Sequence, residues 1–270
     1  MRLKISHATK YDFAQPARYG LQQVRLTPKT RRGQSIDDWQ VSFEGAHRQV
    51  EFVDQYNNLT QLISIEEGAT SLTIRAEGTV VTEDQNGVVG SHGGWTPLWL
   101  YLRSTRLTLP GPALRRIAAS IPDKDLSQVA RLHALMEVIG ESVRYETGTT
   151  NVATTAEEAA SAGHGVCQDH AQIFVACARL LGMPSRYVSG YLMMDDRVQQ
   201  DASHAWAEAY ADGLGWVGFD VSNAISPDAR YVAVATGLDY VDAAPISGLS
   251  FGDGKAGLEV SVQVQQQQQQ

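Results

Sequence analysis

The chain has 270 residues, 43% of them hydrophobic and 19% charged, and its 22 Lys and Arg against 30 Asp and Glu leave a net charge of −8. At roughly 150 residues per domain this makes one large domain or two modest ones, each able to bury a core, and the composition excludes a mainly disordered chain. The acidic balance argues against nucleic acid as a partner, because non-specific binding to DNA or RNA needs basic patches. Apolar runs such as 99–102 fall far short of the roughly 20 residues of a membrane span. The first seven residues alternate apolar with polar and do not form a leader-like block. Two cysteines make no disulfide framework. The expectation is a cytoplasmic protein with no membrane partner.

Residues 1–85 read as an N-terminal β domain. Leu3, Ile5 and His7 alternate with polar residues, as do Trp39, Val41 and Phe43, and then Leu72, Ile74 and Ala76. Period two means one buried and one wet face, so a β-sandwich-like structure is expected. The Gly-rich segment 84–94 is the best candidate boundary. Beyond it, Pro110, Gly111 and Pro112 open a short helix through Ala119. Segment 127–140 is helical, with Val129, Leu132, Met136 and Ile139 on one face. Thr154 with Glu157 and Thr155 with Glu158 both have capping-box spacing, and Gly163 ends the helix they open. A third helix runs from about Cys167 to Leu181, its stripe of Ile173, Phe174, Cys177, Leu180 and Leu181 facing a core. Strands follow over 186–192, 205–211 and 215–219, and 258–264 alternates once more. The domains so predicted are 1–85, an α+β core over 86–264, and a disordered poly-Gln tail over 265–270.

Chemistry concentrates in three places. Cys167 sits where a Gly-rich loop turns into a helix, and the unpaired N–H groups and partial positive charge of a helix N-terminus stabilise a thiolate. Taken alone, such a cysteine is more readily a small buried hydrophobe. Cys177, one stripe down the same helix, is expected to be inert core. His204 opens a strand, and Asp220 ends the next one, joined through the turn-rich Asp212, Gly213 and Leu214. An antiparallel hairpin brings His204 beside Asp220, and a helix N-terminus packed on that end of the sheet brings Cys167 to His204. That is a nucleophile, a base and an orienting acid. His170 lies on the helix face of Cys167 and is a rival base, but a packing role is favoured because two residues of one helix keep a fixed separation. His164, Cys167 and His170 lack the second ligand pair of a structural zinc site, so no metal and no cofactor is expected. Glu208 shares the strand face of His204.

These runs are Gly165-Val166-Cys167-Gln168-Asp169-His170-Ala171, His204-Ala205-Trp206-Ala207-Glu208-Ala209-Tyr210 and Trp216-Val217-Gly218-Phe219-Asp220. They resemble the transglutaminase-like superfamily of papain-fold cysteine enzymes. The N-terminal half is similar to the β domain that precedes the core in bacterial members, through His7, Ala8, Thr9, Tyr11 and Phe13, Leu26 to Pro28, and the 97–105 segment. Val221 stands where proline is common in that family, and His170 where an aromatic residue is. The resemblance implies a papain-like core in which a Cys-bearing helix packs on an antiparallel sheet. It implies Cys167, His204 and Asp220 as the catalytic set, acting through a thioester on a peptide, protein or other amide substrate. Hydrolysis by a cysteine peptidase or amidase is the expected outcome. Transfer to an amine by a transglutaminase, and a non-catalytic binding module on the same fold, are the alternatives. The Cys167 N–H is one oxyanion donor, and Tyr145 is the candidate for the second.

Overall fold

The computed structural model describes residues 1–122, 126–194, 198–200, 202–251 and 257–267. The alternation of the first third forms six strands: β1 Arg2–Asp12, β2 Tyr19–Val24, β3 Gln34–Glu44, β4 Ala46–Val53, β5 Leu59–Ile65 and β6 Ser71–Thr82. On β6, Leu72, Ile74 and Ala76 are buried while Arg75 and Glu77 face solvent. The buried set meets Val24, Leu26, Ile63 and Ile65 between two facing sheets, the arrangement that period-two strands require.

The core begins inside the Gly-rich segment, where β7 Val88–Gly90 forms an edge of the core sheet. Then come α1 Pro112–Ala119, α2 Gln128–Ser142, the two-residue strand β8 Arg144–Tyr145, α3 Ala156–Ala162, β9 His164–Gly165 and α4 Cys167–Leu180. Ser127 caps α2 by accepting from the Ala130 N–H. Thr155 and Glu158 form the capping box of α3, and Gly163 ends that helix at φ 72°. Glu157 does something the local spacing does not announce. Its carboxylate accepts from the N–H groups of Gly111, Ala113 and Leu114 at 2.8 to 3.0 Å, closing the open end of α1.

The core sheet is completed by β10 Ser185–Leu192, β12 His204–Ala211, β13 Gly215–Phe219 and β14 Tyr231–Gly237, ordered β14-β10-β12-β13-β7; the short β11 Gln199–Gln200 lies outside it. All pairings within it are antiparallel. Ile173, Phe174 and Cys177 of α4 pack with Leu132, Leu135 and Ile139 of α2 and with Phe219 of the sheet. Gly190 is required where β14 closes on β10: a Cβ there would lie 2.1 Å from the Val232 carbonyl and 2.8 Å from the Trp206 ring. A short helix, α5 Tyr240–Ala243, follows β14.

The chain then returns to its beginning. β15 Ile246–Phe251 pairs with β2, and β16 Gly257–Gln266 pairs along β1 from Asp12 opposite Gly257 to Leu3 opposite Gln266. The segment 258–264, expected within the 86–264 core, is therefore part of an N-terminal sheet. The edges of β1 and β2 would otherwise present unpaired backbone groups, and the two C-terminal strands cover them. The poly-Gln tail is corrected in the same way. Gln265 and Gln266 are strand residues opposite Lys4 and Leu3, and Gln267 accepts from Arg2 Nε at 2.9 Å. A backbone ladder needs no apolar side chains, so a Gln run can continue it. Residues 268–270 lie outside the described residues.

The two halves share a core in which Leu3, Ile5, Val262 and Val264 pack on Tyr191, Val232 and Val234. Two side-chain amides also clamp β14. Gln34 donates to the Ala233 carbonyl and accepts from its N–H, both at 2.8 Å, and Asn58 does the same to Thr236 at 2.8 and 2.9 Å. Among the described residues no helix is long and apolar enough to cross a membrane.

Candidate active site

Cys167 is the first residue of α4. Asp169, two residues on, accepts from the Val166 N–H at 2.8 Å and from the Thr150 hydroxyl at 2.6 Å, which holds the loop-to-helix turn. The first-turn N–H groups of α4, that of Cys167 among them, are free of intrahelical partners by the geometry of any helix start. Cys167 is half-buried, whereas Cys177 is fully buried and its Sγ approaches the Leu114 carbonyl at 3.5 Å. Burial pushes the Cys177 thiol up to about 12.

The hairpin of β12 and β13 sets Ala211 opposite Gly215 and Ala207 opposite Phe219. That register carries the first residue of β12 to the residue just after β13. His204 Nε2 lies 2.6 Å from Asp220 Oδ2. A carboxylate only accepts, so Nε2 carries the proton and Nδ1 is the nitrogen left over, on a ring that lines the same cavity as Cys167. Burial works to lower the His204 pKa. The hydrogen bond to Asp220, with the electrostatic influence of Cys167 and Asp220, outweighs it and raises the group to about 10.

Asp220 is nearly inaccessible to solvent and its carboxylate is well supplied with donors. Oδ1 accepts from the Ser222 N–H at 3.0 Å. Oδ2 accepts from Asn223 Nδ2 and the Tyr231 hydroxyl, each at 2.7 Å, besides His204. Burial alone would raise its pKa; the hydrogen bonds from His204, Asn223 and Tyr231 hold it below the ordinary aspartate value. Val221, where the resembled family commonly has proline, is buried in the core, and Asp220 and Ile225 close the turn around it through mutual backbone bonds at 2.8 and 3.2 Å.

The structure sets the other candidates apart from the thiol. His170 has both ring nitrogens occupied, Nδ1 by Ser222 Oγ and Nε2 by the Val143 carbonyl, each at 2.9 Å. Burial lowers its pKa. His164 Nδ1 bonds Thr149 Oγ1 at 3.0 Å. Among the described residues no group of three or more His, Cys, Asp or Glu is placed to hold a metal. Glu208 faces the N-terminal half, bonded by Arg31 at 2.5 Å and by Arg186 Nε at 2.7 Å. Tyr145 is 56% exposed, with its ring 6.2 Å from that of His170.

Two openings meet at His204. One is a cavity of about 320 Å³ lined by Cys167, Gln168 and Tyr187 of the core and by strands of the N-terminal half. The other, about 1010 Å³, is lined by Tyr145, Glu146, Met193, Asn223 and Arg230, with His204 but not Cys167 at its edge. Sequence reading missed Tyr231 and Asn223. An Asp followed three residues later by Asn is a weak turn signal that points to Asn223; nothing local points to Tyr231, which arrives on the far edge strand of the sheet.

Residues 115–221 match the model of the transglutaminase-like superfamily, and residues 3–81 match that of the bacterial transglutaminase-like N-terminal region. An uncharacterized protein of Mycobacterium leprae is 28% identical over 97% of this chain and 98% of its own length. One from Mycobacterium tuberculosis strain H37Rv is 27% identical over 97% of this chain and 92% of its own. The crystal structure of a Cytophaga hutchinsonii protein, provisionally described as a cysteine protease, superposes with a TM-score of 0.76 at 24% identity, covering 98% of this chain and 90% of that one. It shares the fold.

Proposed function

Since this chain belongs to the transglutaminase-like superfamily, with that superfamily's core at 115–221 behind a bacterial transglutaminase-like N-terminal region at 3–81, we propose that it is a cysteine peptidase or amidase. The observation that carries the reading is His204, bonded to the Asp220 carboxylate and lining one cavity with Cys167, at the junction of two open clefts.

His204 Nδ1 takes the proton of the Cys167 thiol as the reaction begins. Sγ attacks the amide carbonyl, forming an S–C bond, and the developing oxyanion is met by the Cys167 N–H at the start of α4. The C–N bond then breaks, and the proton on His204 Nδ1 goes to the leaving amine. Asp220 keeps the imidazole in the tautomer and orientation that this transfer needs. Neutral His204 next takes a proton from water. The hydroxide so formed attacks the thioester carbonyl, the C–S bond breaks, and a carboxylic acid leaves with the thiolate restored.

Water as the acceptor is tested by partition. The protein is supplied with a p-nitrophenyl ester with and without a millimolar lysine analogue, and acid and amide products are both quantified. Water is present at about 55 M, yet an oriented site reaches effective molarities of 10⁵ M or more, so a bound amine wins despite its dilution. Hydrolysis with weak amine capture, linear in amine concentration, supports the reading. Saturable capture that dominates at millimolar amine makes the protein a transglutaminase.

A further inference from the structure

We propose that the cavity beside Cys167 is the acyl-side subsite, that it selects an uncharged acyl group, and that the N-terminal sheet, with the C-terminal strand that joins it, sets this selectivity. The inference rests on the acyl-transfer reading above and adds the class of donor.

The two openings differ in which partner of the pair they touch. The acyl group becomes bonded to Sγ, so it must occupy the space that Cys167 lines, which is the 320 Å³ cavity. The leaving amine takes its proton from His204, and the larger cleft is lined by His204 without Cys167. The smaller cavity is at the low end of the roughly 300 to 1,000 Å³ of small-molecule pockets, enough for one side-chain-sized group.

Apart from the reacting Cys167 and His204, its walls are neutral. Among the described lining residues there is no Asp, Glu, Lys or Arg. His7 is the one imidazole there besides His204. It is buried, with Nδ1 on the Tyr191 hydroxyl at 2.9 Å and Nε2 on Thr9 Oγ1 at 3.0 Å, and burial lowers it to about 4, so it is uncharged at neutral pH. Tyr187 is 1% exposed and its ring packs edge-on to that of Tyr240, with centroids 6.1 Å apart. A charged acyl group placed here gives up its hydration and meets no opposite charge on the walls away from the reacting pair.

One whole side of this cavity comes from outside the core. His7, Thr9 and Tyr11 are on β1, and Leu258 and Val260 are on β16, paired as Tyr11 opposite Leu258 and Thr9 opposite Val260. The return of the C-terminal strand to β1 therefore builds part of the subsite. Leu258 is the accessible member, 62% exposed, and can be changed with little risk to folding.

The test uses p-nitrophenyl esters of 3-phenylpropionate, 3-(4-carboxyphenyl)propionate and 3-(4-trimethylammoniophenyl)propionate, which share one reacting carbonyl and differ only in distal charge. Acylation rates are read by nitrophenolate release and by mass at Cys167, each relative to p-nitrophenyl acetate on the same protein. The neutral donor is expected to lead both charged donors by on the order of 10²-fold. Leu258→Glu should shift preference toward the trimethylammonium donor by about tenfold, and Leu258→Lys toward the carboxylate. If acetate acylates Cys167 but the three donors react alike, or the Leu258 variants leave their ratios unmoved, the subsite assignment is overturned while the acyl-transfer reading stands. If acetate itself leaves Cys167 unmodified, that reading falls and this one falls with it.

Discussion

The Tyr231 hydroxyl and the His204 imidazole share one oxygen of Asp220, at 2.7 and 2.6 Å. Tyr231 is on β14 and His204 on β12, two strands separated by β10, so the acid is gripped from across the sheet. Removing the hydroxyl in Tyr231→Phe takes away one donor to the ionised carboxylate. A hydrogen bond to a charged group contributes roughly 1.5 to 3 kcal/mol, so the Asp220 pKa should rise measurably, with Asn223 and Ser222 still in place. Titration of ¹³C-labelled aspartate carboxyls by NMR, wild type against variant, reads this directly. An unmoved Asp220 resonance would show that Tyr231 is packing and nothing more.

Glu208 joins the two halves of the molecule. Its fully buried carboxylate is held by Arg31 from the N-terminal half and by Arg186, whose guanidinium also lies 4.1 Å over the Trp216 ring. Burial would raise its pKa, but the two guanidinium groups hold it at about 2. In Glu208→Gln the volume stays while two buried cations lose their counter-charge, which costs about 3 to 5 kcal/mol. Urea unfolding should report a loss in that range. A variant within 0.5 kcal/mol of wild type would mean that the ion pairs do not hold the halves together.

His7 makes stability depend on acid. Its folded pKa of about 4 lies below the ordinary value of 6.5. A depressed folded pKa means stability is fully present above pH 6.5 and is lost as pH falls through 4, because the unfolded chain takes up the proton first. The difference of about 2.5 units corresponds to a loss on the order of 3 kcal/mol across that window. His7→Gln, which keeps a polar partner for Thr9 or Tyr191, should flatten that decline in denaturant midpoints measured from pH 7 to pH 4. An equal decline in the variant would place the acid sensitivity elsewhere.

Much of the candidate site was legible in the sequence because its parts stand at the ends of local elements. Cys167 begins a helix bounded by Gly163 and Gly182, His204 begins a strand, and the turn at 212–214 dictates that Asp220 returns beside it. Each of those inferences needs no more than about twenty residues of context. What was hidden depends on contacts distant in sequence. Tyr231 reaches Asp220 only because β14 joins β10, and Glu157 caps α1 from more than 40 residues away. The alternation at 258–264 announces a strand but not its partner, and β1 lies at the opposite end of the chain. The Gln tract carries no hydrophobic pattern, so its pairing follows only from the edge that β1 leaves open.

The central claim is that Cys167, activated by His204, is the nucleophile of an acyl transfer. Brief reaction with p-nitrophenyl acetate, quenching in acid and peptide mass mapping test it most directly. The account predicts a hydroxylamine-labile acetyl group on Cys167 and none on Cys177. His204→Ala should form it 10² to 10⁴ times more slowly, and His170→Ala within a few-fold of wild type. An acetyl group on Cys177, or an inactive His170→Ala beside an active His204→Ala, would contradict the account.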